Sequence, residues 1–141
     1  TGEAVLAMKR SLRYGVSSLD DAGLHRRAGI ELWSVAEIAG HALDADAGAH
    51  RIARALALGR VPDAPFPYGV AGDAVRTREA LLAEIAAAEG RAAEALVLAA
   101  GGPTAPHPDL GPLDARAWIL FIALHDALHL HQAAAVVRAP R

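Results

Sequence analysis

Apolar side chains recur every three or four residues from Glu3 to Leu19, at Val5, Met8, Leu12, Val16 and Leu19. On a helix of ~3.6 residues per turn they fall on one stripe, which predicts a first amphipathic helix. A charged turn segment follows from Asp20 to Glu31. In Trp33-Ser34-Val35-Ala36-Glu37-Ile38, Ser34 can cap the backbone ahead of it, Glu37 can reach back, and Trp33 can staple onto Ile38. A second helix therefore starts at Ser34 and continues to about Leu58, where Gly59 stops it and Pro62, Pro65 and Pro67 stiffen the connection. A third pattern begins at Asp73 and carries Val75, Leu81, Leu82, Ile85, Ala93, Leu96 and Val97 as far as Gly101-Gly102-Pro103, with Gly90 weakening its middle. Thr104 to Leu113 holds Pro106, Pro108, Gly111 and Pro112 and reads as an ordered loop. It ends at Asp114, a good N-cap, with Leu113 and Trp118 as a staple. The last helix, through Trp118, Ile119, Phe121, Ile122, Leu124 and Leu128 to about Val137, is apolar on most of its circumference and is expected at the centre. The pattern predicts an all-α four-helix bundle, one domain spanning residues 1–141, with one short connection and two long ones.

Composition narrows the partners. The 141 residues are 53% hydrophobic but only 4% aromatic, and Ala is abundant, which suits closely packed helices better than sheets. A net charge of −2 with dispersed Arg leaves no basic stripe for nucleic acid. With no Cys, disulfides, thiolate ligands and a cysteine nucleophile are excluded, and His, Asp and Glu remain for site chemistry. This composition is compatible with a reducing compartment, and a cytoplasmic location is expected. No apolar run approaches the ~20 uninterrupted residues of a membrane span, and the N-terminus lacks the layout of a signal peptide. The chain does not begin with Met, which leaves room for residues before Thr1.

The chemistry concentrates in histidine. His125 and His129 are four residues apart on the last helix, so their rings project to one side ~6 Å apart. With seven His in the chain, about a third of one such pair arises by chance, so the spacing alone decides little. Context adds His41, seven residues into the second helix, while His129 lies eight residues before the end of the last. In antiparallel neighbours a rise of ~1.5 Å per residue puts both about 11–12 Å from the same end, with His125 one turn deeper. Three neutral imidazoles so placed can hold one divalent ion, zinc or nickel by preference. The alternative is that each is a hydrogen-bonded core or surface residue. Asp44, three residues after His41, and Asp126, beside His125, can each orient an imidazole from behind or stay solvated on a helix face. His131 points about 200° away from His129. His25, His50 and His107 lie in polar or loop contexts and are expected at the surface, although His50 can be drawn to the inner face of the second helix. Trp33 and Trp118 read as staples and core.

Three blocks carry a resemblance to the DinB-like (DinB_2) family of metal-binding four-helix bundles. They are Leu32 to Asp46, with Trp33-Ser34 and Glu37-Ile38 ahead of His41; the loop His107 to Leu113; and Trp118 to Gln132, ending His125-Asp126-Ala127-Leu128-His129-Leu130-His131-Gln132. The resemblance implies that His41, His125 and His129 are the three metal ligands and Gln132 the glutamine that follows them. It also implies an up-down-down-up bundle with two long connections, frequently as a homodimer. Leu128 stands where Arg is often seen before the last ligand, which puts an anionic contact there in doubt.

On family grounds the expected activity is metal-dependent chemistry on a low-molecular-weight thiol and a small electrophile, as in S-transferases or thiol-dependent isomerases. An open position on the ion would deprotonate an entering thiol and make it a nucleophile. The same site could activate water as a metal-dependent hydrolase. A different class of reading is a non-enzymatic, metal-binding stress-response protein, for which a closed site with a fourth protein ligand such as His50 or Asp44 would speak. A metal-free helical interaction domain requires the histidines to be coincidental.

Overall fold

The computed structural model describes residues 2–67, 72 and 75–141. In chain order the elements are α1 (Gly2–Ser18), α2 (Asp21–His25), α3 (Val35–Ala57), α4 (Arg78–Glu94), a 3-10 turn (Ala95–Val97), β1 (Thr104–His107), β2 (Gly111–Asp114) and α5 (Ala115–Arg138).

Local chemistry sets the ends of the helices that matter for the site. Ser34 Oγ accepts from the Glu37 N–H at 3.1 Å, and the Glu37 carboxylate accepts from the Ser34 N–H at 3.2 Å. This closes the reciprocal cap, of which the Ser contact alone typically contributes about 1 kcal/mol. Trp33 packs into the same cluster as Ile38. The helix ends where Gly59 takes φ +68° and the Arg60 N–H turns back to the Ala55 carbonyl at 2.8 Å. At α5, Asp114 Oδ1 accepts from the Ala117 N–H at 2.8 Å, and Leu113 packs in the cluster that holds Trp118.

Shared contacts give the directions of the four long helices. Val5 packs with Trp118, and Leu12 and Val16 pack with Val136, so α1 and α5 run the same way. The first half of α3 joins Val136 and its second half joins Trp118, so α3 opposes α5. Leu81 and Ile85 of α4 lie with the first half of α3, so α4 runs with α3. The topology is up-down-down-up.

The core is in two apolar halves with a charged layer between them. One half holds Trp118, Ile119 and Ile52; the other holds Leu24, Ile38 and Ile85. Between them Lys9, fully buried, places Nζ 3.0 Å from Asp126 Oδ1, 2.8 Å from its Oδ2 and 3.2 Å from Asp46 Oδ2. Arg91 adds Nε and Nη2 to Asp46 Oδ1 at 3.0 and 2.8 Å. The inward position of α1 between Val5 and Leu12 is thus Lys9, not the half-buried Met8 of the apolar stripe.

Other expectations are corrected. The charged segment after α1 contains the one-turn α2, capped by Asp20 Oδ1 on the Gly23 N–H at 2.7 Å. The third long helix starts at Arg78 behind a Thr77 cap, while Asp73 lies outside the described residues; Val75 and Val97 are exposed. Thr104 to Asp114 is an antiparallel hairpin rather than a loop, with Pro106 opposite Pro112. Neither Pro has an N–H to give, so the pair fits a position of the ladder where no bond is due. The last helix is long and apolar enough, by length and composition, to cross a membrane. Its inner face instead meets α1 and α3, and Leu120, Leu124 and Leu128 are exposed on the other.

One close approach bears on the site. A Cβ on Gly72 would lie 2.5 Å from the His41 backbone nitrogen and 2.6 Å from Gly40. Only glycine lets the chain between α3 and α4 touch α3 at the level of His41, where the Gly72 N–H donates to the Glu37 carbonyl at 3.3 Å.

Candidate metal centre

His41 projects from α3 and is buried; His125 and His129 project from one side of α5 and are half-buried. Antiparallel packing brings the three to one level. Nε2 of His125 lies 3.1 Å from Nε2 of His41 and 3.1 Å from Nε2 of His129, and the ligand atoms of the three lie within 4.8 Å of one another. Two imidazole nitrogens bound at ~2.0–2.1 Å to a tetrahedral ion stand about 3.3–3.4 Å apart, so small shifts suffice to admit one. A neutral imidazole offers at Nε2 either one proton or one lone pair. His125 Nε2 cannot complete two good hydrogen bonds with two like groups, whereas a cation at the common centre satisfies all three lone pairs. The donor set fits a divalent ion.

Neighbouring groups fix the rings. His129 Nδ1 is 2.8 Å from Gln132 Oε1, and since an amide oxygen only accepts, the ring proton sits on Nδ1 and the Nε2 lone pair faces the centre. His125 Nδ1 is buried without a hydrogen bond. Trp33 meets the His41 ring edge-on at 5.1 Å and stacks toward His129 at 6.5 Å. The segment carrying Trp33 is pinned at two points. Arg27 makes two 2.8 Å bonds to Glu37, and Arg26 donates to the Val136 carbonyl at 2.6 Å.

Burial sets the protonation. It pushes the His125 imidazole down to about 3, with further lowering from His129, His41 and Lys9. Burial also lowers His129, although its bond to Gln132 opposes this. Rings already neutral at pH 7 give lone pairs to a metal without releasing protons. The pH dependence of the metal-free fold follows. His125, His129, His50 and His107 all titrate below the ordinary 6.5, each chiefly through burial. The unfolded chain therefore takes up protons first, and stability falls as pH drops below about 6.5. Asp126, raised by burial from 3.8 to about 6 against the pull of Lys9, works the other way in that interval, as one group against four. The melting temperature of chelated protein is expected to fall between pH 7 and pH 4. A level or rising profile in that range would show that the imidazoles are not buried as described.

Of the residues singled out in the sequence, His41, His125 and His129 come together. Asp44 does not join them: it is half-exposed on α3, with Arg76 Nη2 at 3.3 Å, so the ring-orienting contact is made by Gln132 instead. Asp126 turns from His125 to Lys9 because its side chain points into the charged layer. His25 and His131 are exposed, as expected. His107 is buried, its Nδ1 accepting from the Asp109 and Leu110 N–H groups at 3.1 and 3.3 Å, with Phe121 at 4.4 Å. His50 lies on the inner side of α3, 4.0 Å from Asp46. Periodicity did not mark Trp33 as a neighbour of the trio; its place beside Ser34, seven residues before His41, was the available signal.

Fold and site together define a four-helix bundle whose facing helices gather three imidazoles at one point. The chain matches the DinB superfamily model over residues 5–133 and belongs to that superfamily. Among solved structures it is similar to TT2238, described as a four-helix bundle protein. The two share 23% identity over 94% of each chain, with a TM-score of 0.74. At that identity the likeness shows the fold. No curated protein matches the chain.

Proposed function

We propose that the chain holds one divalent ion on His41, His125 and His129, zinc or nickel by preference, and uses it on a low-molecular-weight thiol that attacks a small electrophile. The observation that carries the metal reading is the convergence of three Nε2 atoms, two of the three separations being 3.1 Å. Membership of the DinB superfamily supports it. A divalent ion held by three neutral ligands keeps its full charge and at least one open position, which lowers the pKa of a thiol placed there.

The chain's own residues do the rest. Burial keeps His125 and His129 neutral, Gln132 fixes the proton of His129, and Trp33 covers one side of the trio. The half-buried edges of His125 and His129 leave the centre approachable from solvent. Since the chain has no Cys, the sulfur must be brought by a second molecule.

Cobalt-substituted protein tests this reading. Adding mycothiol, bacillithiol or glutathione should produce a sulfur-to-cobalt charge-transfer band in the near ultraviolet, absent in His129→Ala. If millimolar thiol leaves the spectrum unchanged while hydroxamates or phosphates alter it, the site is hydrolytic. If nothing alters it, the protein is a metal binder without this chemistry.

A further inference from the structure

A cavity lies away from the three imidazoles, in the groove between the parallel helices α3 and α4. It measures about 530 Å³, within the range of small-molecule sites. Ala53 and Ala95, both buried, form its floor, and Ala57, Leu58 and Leu98 line one end. Among the described residues no Phe, Tyr or Trp lines it, which suits an aliphatic body rather than a flat aromatic ring.

The other end is polar and already organised. Arg91 is clamped by Nε and Nη2 onto the fully buried Asp46, and its Nη1 makes no hydrogen bond among the described residues. Such a guanidinium is held still by one edge while the other remains able to bind an acid. Arg54, on the same wall, makes no side-chain hydrogen bond or ion pair among the described residues. His50 stands beside them with its side chain nine-tenths buried, and its Nε2, 4.0 Å from Asp46 Oδ2, has no hydrogen-bond partner among the described residues. A buried polar atom left in this way calls for a ligand or water nearby. The negative charges of Glu94 on the rim and Asp46 behind Arg91 disfavour a dianion such as phosphate. One carboxylate matches the donors left open.

We propose that the α3/α4 groove binds a small aliphatic monocarboxylate, its head on Arg91 and Arg54 beside His50 and its tail over Ala53, Ala57, Leu58, Ala95 and Leu98. The site is independent of the metal reading, because none of the three imidazoles lines it.

Calorimetric titration of the protein as purified with octanoate tests this, with 1-octanol and octylammonium as neutral and cationic probes. Octanoate should bind at least tenfold more tightly than either. Arg54→Glu, at a side chain without a hydrogen bond or ion pair among the described residues, should weaken it at least tenfold, and Ala57→Trp should block the tail end. His125→Ala should bind octanoate as the parent does, which separates this groove from carboxylate binding to a metal. Equal binding of octanol and octanoate, undiminished binding in Arg54→Glu and Ala57→Trp, loss of binding in His125→Ala, or no binding at millimolar octanoate would each overturn the proposal.

Discussion

Protein purified without chelator is expected to carry about one divalent ion per chain, and His125→Ala or His129→Ala to carry less than about a tenth of that. Two ligands remain in either variant, and two neutral imidazoles compete poorly with water for a divalent ion. Gln132→Leu should behave differently. The ligand set is intact, but the proton of His129 is no longer held on Nδ1, so affinity should fall by about 10–100-fold while stoichiometry at saturating metal is kept. Exposed His25 and His131 are the proper controls, and their Ala variants should bind as the parent does. His107 is unsuitable, because its ring is buried against Phe121 and its Nδ1 accepts two backbone N–H groups. Elemental analysis and competition with a chromophoric chelator read these outcomes. Full stoichiometry in both His125→Ala and His129→Ala would sink the site. Helical circular dichroism should survive chelation, because the two apolar halves do not depend on the ion.

The second large effect lies in the charged layer. Lys9→Met should destabilise the fold by about 3–5 kcal/mol. Lys9 and Arg91 balance Asp46 and Asp126, two positive charges against two negative, all in contact. Removing Lys9 strands the Asp126 carboxylate, whose ion-pair contact is with Lys9 Nζ, in a layer that water does not reach. Lys9→Met with Asp126→Asn removes one charge of each sign and leaves the Arg91–Asp46 pair whole, so it should recover more than half of the loss. Urea denaturation of the metal-free proteins measures both. A double variant no more stable than Lys9→Met would mean that Lys9 acts through packing, not charge.

Much of this was legible along the chain because it is local. Helix caps and staples involve residues within five positions of one another, so Ser34 with Glu37 and Leu113 with Trp118 could be read directly, and the caps fixed the level of His41 against His129. The charged layer was not readable in the same way. Lys9 and Asp126 are each the single buried charge of their helix and Asp46 shares α3 only with the capping Glu37, and periodicity discounts a charge there as a break in the stripe. Only their coincidence at one level on three helices gives each a partner, and that requires the packing. The hairpin was hidden by Pro106, Pro108 and Pro112, which read as loop punctuation unless the two strands are known to face each other Pro to Pro. Charge and spacing offer Asp44 and Asp126 as orienting groups, whereas Gln132 enters only through the family resemblance. The α5 backbone places Gln132 one turn from His129, while the Asp44 carboxylate meets Arg76 instead.

His41 and His125 are 84 residues apart in the chain, and Lys9 and Asp126 are 117 apart. During synthesis the first imidazole of the trio emerges with α3, long before the helix that supplies the other two. Neither the trio nor the neutral charged layer exists until α5 docks between α1 and α3. An ion held by all three imidazoles would therefore load only after α5 docks, and a chain truncated before Ala115 would leave uncovered the Lys9, Asp46 and Arg91 charges that the finished fold closes over.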